Sequence, residues 1–216
     1  MKKHALLTLV VVLVSLLPAG YLFLIWKNIP QTVPTHFGPN LKPDRLGDKE
    51  ELWLVTGVLA LVSLLVYFLL NNLHRIDPKR KGTRPSSTFN KLAIGMVVFL
   101  TALNFIIIAS ANGSLAIQSL LFPLLGLLFA FIGNYMNNIR PNYFAGLRLP
   151  WTLSSDENWR RTHQLAGKLW FAGGMLIAVI SIFLTPKILV PFFIAVMLII
   201  TLVPIIYSYR LFKQNV

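Results

Sequence analysis

Apolar residues fall into six runs separated by short polar segments: residues 5–26, 52–70, 92–111, 115–136, 169–184 and 189–209. Each is near the ~20 residues that cross ~30 Å of hydrocarbon as an α-helix. The pattern predicts an all-α integral membrane protein, a six-helix transmembrane bundle. The first run is longer than the ~7–15 residues of a signal-peptide core. It has no A-x-A site and ends at Trp26, so it is read as a retained helix. Run five is short, and its helix is expected to begin upstream, in an amphipathic stretch. Pro18, Pro123 and Pro204 lie inside runs and predict kinks that neighbouring helices accommodate. Asn112–Gly113 is a turn signal and Pro186 is read as ending the fifth helix. Helices three and four, and five and six, should therefore pack as antiparallel hairpins.

Composition supports the membrane reading. Of the 216 residues, 56% are hydrophobic and 12% charged, against about 25% charged in ordinary soluble domains. A net charge of +13 would suggest nucleic acid if the chain were soluble. Its distribution suggests topology instead, and no direct nucleic-acid binding is expected. With the N-terminus inside, the segments on that side carry 15 of the 20 Lys and Arg residues and three acids. The outer segments carry five basic residues and four acids. Basic residues gather in cytoplasmic loops, so both termini are placed in the cytoplasm. The expected organisation is a two-helix unit with a Pro-rich outer loop (1–72), a basic cytoplasmic loop (73–91) and a four-helix unit (92–216) with an inner loop at 137–168. The localisation is a multi-pass cell-membrane protein.

The candidate chemistry is sparse. The chain has no H-E-x-x-H, no phosphate-binding glycine run and no G-x-S-x-G. It has no cysteine, which removes disulfides, thiol catalysis and cysteine metal sites. His4, His36, His74 and His163 are far apart, with His36 on the opposite side from the others. No enzyme activity, metal or cofactor is expected. Asn104, Gln118 and Asn134 are the largest polar residues within the runs. An intramembrane amide acts as interhelical glue or marks a ligand pathway. No acid lies centrally in any run, which counts against proton-coupled transport. Gly126, Ala130 and Gly133 share one face of run four, and Gly167, Gly174 and Ala178 one face of run five. Close approach of these two helices follows.

Two loops are informative. The outer one, 29–51, holds Pro30, Pro34, Pro39, Pro43 and Gly38, and is turn-rich and restricted. Within it His36 either caps a turn or faces a ligand. The inner loop breaks at Pro141, Gly146 and Pro150, and then reads SSDE, with Ser154 the expected helix cap and Glu157 its reciprocal partner. Trp159, His163, Ala166 and Trp170 recur at helical spacing, with Arg160, Arg161, Gln164 and Lys168 opposite. This predicts an amphipathic helix lying at the membrane interface and feeding into span five, with Trp151, Trp159 and Trp170 as anchors and Arg148 available to lipid phosphate.

The inner loop, PNYFAGLRLPWTLSSDENWRRTH, resembles the signature of the SdpI family of bacterial membrane proteins. The matching positions are Gly133 and Asn134, then Pro141, Asn142, Gly146, Arg148, Pro150, Trp151, Thr152 and Trp159; His163 follows. Leu147 and Leu149 stand where the family often has Ile and Thr. The outer loop is similar to the domain of unknown function that commonly precedes this signature, at Pro34, His36, Pro43 and Asp44, with Leu41 where glycine is usual. The resemblance implies a protein that protects its cell from a secreted peptide toxin, with membrane lipid as its surroundings. It also implies capture of a cytoplasmic transcriptional repressor, for which Arg160, Arg161 and Lys168 are the candidate contacts. A small-molecule transporter or export component is the alternative.

Overall fold

The apolar runs become helices, and most extend beyond their run into polar flanks. The structure is a computed structural model that describes residues 2–38, 41–79 and 86–214, with the side chains of 2–4 and 118 excepted. Pro39 and the side chains of His4 and Gln118 thus lie outside the described residues. In chain order the elements are α1 (Lys2–Ile25), β1 (Thr32–Phe37), β2 (Pro43–Asp48), α2 (Glu51–Ile76), α3 (Ser87–Ala111) and α4 (Ile117–Met136). Then come α5 (Pro150–Ser154), α6 (Asp156–Ile180) and α7 (Pro186–Gln214). All the described helices except the short α5 are long and apolar enough to cross a membrane. Their outer faces expose large apolar side chains such as Leu13, Phe23, Leu54, Leu61, Leu198 and Val203. Water would reject such a surface, whereas lipid solvates it. The chain is a multi-pass membrane protein.

The six crossings leave two opposed faces. One carries β1–β2 and the tight connections after α3 and α6. The other carries the end of α2, the start of α3 and the loop between α4 and α6. Helix α3 packs on α1, α2 and α4; α6 packs most extensively on α4 and also on α7. Polar pairs tie the first group. The Thr56 hydroxyl donates to Asn104 Oδ1 at 3.1 Å, and the Asn104 amide returns a bond to the Thr56 carbonyl at 3.3 Å. Ser15 and Ser63 hydroxyls meet at 3.2 Å. Asn104 is therefore the expected interhelical glue, worth about 1 kcal/mol.

Small residues seat α6 against α4, as their spacing predicts. A Cβ on Gly126 would lie 2.6 Å from the Gly174 carbonyl oxygen, and one on Gly133 would lie 2.9 Å from that of Gly167. Any side chain at these positions would push the two backbones apart.

The outer loop holds a two-stranded antiparallel hairpin that its prolines had suggested only as turns. Thr32 pairs with Asp48, Val33 with Gly47 and Pro34 with Leu46, before the register slips around His36. Edge positions tolerate proline, which is how Pro34 and Pro43 enter strands. Val33 is fully buried among Leu22, Ile29, Leu52, Ile108 and Ala111, and so pins the hairpin to the ends of α1, α2 and α3. Leu41 has φ +58°, the left-handed conformation. The family's usual glycine would adopt it without strain.

Two helix boundaries differ from expectation. The cap of α6 is Ser155, whose hydroxyl accepts from the Asn158 N–H at 3.2 Å. Ser154 is consumed as the last residue of α5, which moves the cap one position on. Pro186 begins α7, whereas α6 already ends at Ile180. A proline at the first helical position loses no hydrogen bond, because that N–H has no intrahelical acceptor.

Candidate functional site

The loop between α4 and α6 has little regular structure, and its side chains supply the bonds its backbone lacks. Asn142 is fully buried. Its amide nitrogen donates to the carbonyls of Arg140 (2.9 Å) and Ala145 (3.0 Å). Its oxygen accepts from the N–H groups of Phe144 (2.8 Å) and Ala145 (2.7 Å). One amide thus satisfies its full donor and acceptor capacity while folding residues 140–145 around itself. Gly146 follows with φ +103°, and a Cβ there would run into the His163 ring.

His163 closes the next segment. Its Nδ1 lies 2.8 Å from the Trp159 carbonyl, to which it can only donate. Its Nε2 accepts from the Leu147 N–H at 3.1 Å. The two bonds require the neutral imidazole with its proton on Nδ1. The ring stacks on Trp159 at 4.0 Å, and the Trp159 indole N–H donates to the Ile139 carbonyl at 2.7 Å. Thr152, also fully buried, donates to the Leu147 carbonyl (2.7 Å) and accepts from the Leu149 N–H (2.9 Å). Pro150 starts α5, where its missing N–H costs nothing.

Other elements brace the loop from outside. The carboxylate of Asp77, just past α2, is fully buried and accepts from the N–H groups of Lys79 (2.9 Å) and Tyr143 (3.0 Å). The Lys79 ammonium donates to the Leu153 carbonyl at 2.5 Å. On the α7 side, Trp151 donates to the Ser208 hydroxyl at 2.9 Å and packs its ring on Tyr209 and Phe212. Asn158 donates to the Ser208 carbonyl at 2.9 Å. The loop is a fixed platform.

What the platform presents is small. Tyr143, Phe144 and Arg148 are exposed. Arg148 spends Nη1 on the Tyr143 carbonyl at 2.6 Å, which holds its guanidinium beside the aromatic pair. Arg160 and Arg161 are exposed but share one partner. The Glu157 carboxylate receives Arg160 Nη2 at 2.8 Å and Arg161 Nε at 2.5 Å. Lys168 stands further along α6 and lines a separate cavity with Asn134 and Gln164.

Models of known families match two stretches of the chain. The description "SdpI/YfhL protein family" covers residues 138–208, the loop and both helices that brace it from behind. Over this stretch the chain is similar to the SdpI/YfhL family. A second match, a domain of unknown function (DUF1648), covers residues 13–69 and contains the hairpin. Among curated relatives, the immunity protein SdpI of Bacillus subtilis (strain 168) is 24% identical over 214 residues, covering 99% of this chain and 98% of the relative. An uncharacterised protein of Archaeoglobus fulgidus is 37% identical over 49 residues, 23% of this chain and 27% of the relative. No solved structure matches.

The motif residues of the SdpI/YfhL region therefore divide. Asn142, Thr152, Trp159 and His163 are buried in the scaffold, Trp151 is wedged on α7, and Gly146 supplies a backbone shape. Arg148 alone among them offers an exposed charge. The face of α6 that carries Trp159, His163 and Ala166 is buried against protein, which corrects the expectation of a helix lying in the membrane interface. The loop's own hydrogen-bond acceptors, Ile139 above all, draw that face inward. Asn134 also departs from its expected role as glue, since its side chain is exposed and bonds to no described protein group. At the other face, His36 Nδ1 pairs with Asp44 Oδ1 at 2.6 Å across the hairpin, both exposed.

Asp77, Asn158 and Ser208 were missed from the sequence. Asp77 sits in a basic stretch and reads as a surface counter-ion; only its position before a proline at a helix end hinted at a turn.

Proposed function

We propose that this chain is a membrane immunity protein that protects its cell against a secreted peptide toxin. In this reading the motif loop faces the cytoplasm and is the surface that captures a soluble transcriptional repressor. The observation that carries the immunity reading is the match to an immunity protein along 99% of the chain. It spans the hairpin on one face and the motif loop on the other. The repressor part is supported by the loop's construction: a rigid platform spends its buried polar groups on itself and leaves Arg148, Tyr143 and Phe144 outward. The excess of basic residues on the loop's side supports a cytoplasmic placement of that loop and of both termini. The N-terminal unit (1–72) would meet the peptide through the hairpin, and the 92–216 unit would carry the repressor surface. Arg160, Arg161 and Lys168 would add long-range attraction, weakened by salt.

The test is protection. Bacillus subtilis cells lacking their own SdpI are plated beside toxin-producing cells, with and without this chain. Survival with the wild-type chain is expected. Arg148→Ala should lose repressor capture, measured by co-sedimentation with membranes, while its membrane level stays normal. Killing equal to the empty-vector control would overturn the immunity reading.

A further inference from the structure

Asn134 lies near the end of α4, in the last turns before the motif loop, exposed and without a protein partner. Its amide donors and acceptor are therefore left to a group outside the protein. Two cavities meet there, sharing Asn134 and Phe171. The first, about 500 Å³, is walled by Asn134, Asn137, Gln164 and Lys168 together with the small Gly133 and Gly167. None of those four polar side chains bonds to a described protein group. The second, about 780 Å³, runs between α3 and α4 and is apolar except at its rim, where Lys91 and Asn134 stand.

The dimensions of the second cavity suit one occupant. From Asn134 to Leu124 along α4, and from Lys91 to Phe99 along α3, it descends about 12–15 Å. That is half of the ~30 Å hydrocarbon core, the depth of one leaflet. Lys91 and Lys168 give the mouth positive charge, and no acid lines either cavity. We propose that this groove is a binding site for an anionic phospholipid of the leaflet on the motif-loop side. The phosphate lies against Lys168, Asn137 and Asn134, and an acyl chain fills the channel between α3 and α4. The apolar wall selects a lipid over a free phosphate, and the lysines select an anionic over a zwitterionic headgroup.

The site is separate from the loop surface of the immunity reading and does not rest on it. Native mass spectrometry of the purified full chain tests it, with phosphatidylglycerol, phosphatidylcholine of the same chains, and glycerol 3-phosphate as the headgroup alone. Phosphatidylglycerol should bind about five-fold tighter than phosphatidylcholine or better, and glycerol 3-phosphate should not be retained. Lys168→Ala should weaken phosphatidylglycerol by about five-fold, whereas Lys187→Ala, on the opposite face, should not. Leu127→Phe and Val98→Phe should reduce both lipids by narrowing the channel. Those side chains are 52% and 57% exposed, so neither change disturbs the packed interior. Equal binding of the two lipids would overturn the proposal. So would wild-type affinity in Lys168→Ala or Leu127→Phe, or glycerol 3-phosphate binding as tightly as the lipid.

Discussion

Asp77 accepts one N–H from its own loop and one from Tyr143, far away in the chain. Its removal leaves two part-buried donors without their acceptor, and bonds to a charged acceptor are worth about 1.5–3 kcal/mol each. Asp77→Ala should therefore lower the thermal midpoint of the purified protein by several degrees and free the motif loop to faster hydrogen exchange. Unchanged exchange at Tyr143 would show that the loop holds without this brace. Asp77 was illegible in the sequence because its partner is set by the way α2 and α4 each dock on α3. Asn142 and Gly146 were legible as motif positions, but their physical roles, a self-contained turn and a backbone shape beside His163, needed coordinates. For the same reason Arg148 could be named from the motif while its isolation as the exposed charged member could not.

At the scale of elements, the helices were read from periodicity because lipid imposes a length and an apolar exterior on each of them. The small-residue faces of α4 and α6 were also legible, since only glycine and alanine permit such contact. Gly133→Leu should drive the two helices apart, costing about 1–3 kcal/mol or more, and should reduce folded protein recovered from membranes. Gly57→Leu in α2 is the control: nothing lies within 4 Å of a Cβ there, and it should be recovered at wild-type level. The hairpin was not legible, because Pro34 and Pro43 speak against strands and its pairing occupies an edge that proline tolerates. Its turn contains a testable strain. A non-glycine residue in the left-handed region costs about 1–2 kcal/mol, partly offset in glycine by about 0.5–1 kcal/mol of backbone entropy. Leu41→Gly should stabilise the hairpin by up to about 1 kcal/mol, seen as slower hydrogen exchange at Val33 and Gly47. Faster exchange would mean that the leucine side chain contributes more than its backbone loses.

For the molecule as a whole, the asymmetry of charge predicts orientation. Reporter fusions at Lys42, in the hairpin, and at Lys79, beside the motif loop, should report opposite sides, with Lys79 in the cytoplasm. Both on one side would overturn the six-span order, and the reverse assignment would move the proposed repressor surface outside the cell. Helix α2 is one of the rigid parts that join the two faces. Leu52 in the first turn of α2 is buried against Val33 of the hairpin, and Asp77 follows directly on its last turn and holds Tyr143. The helix between them has 26 residues, about 39 Å of continuous rod. Pivoting it by roughly 5° about its midpoint swings each end by about 2 Å in opposite directions. A hydrogen bond of 3.0 Å does not survive such a stretch, so a tilt of α2 set at the hairpin end would be read at the other end as release of the lock on Tyr143.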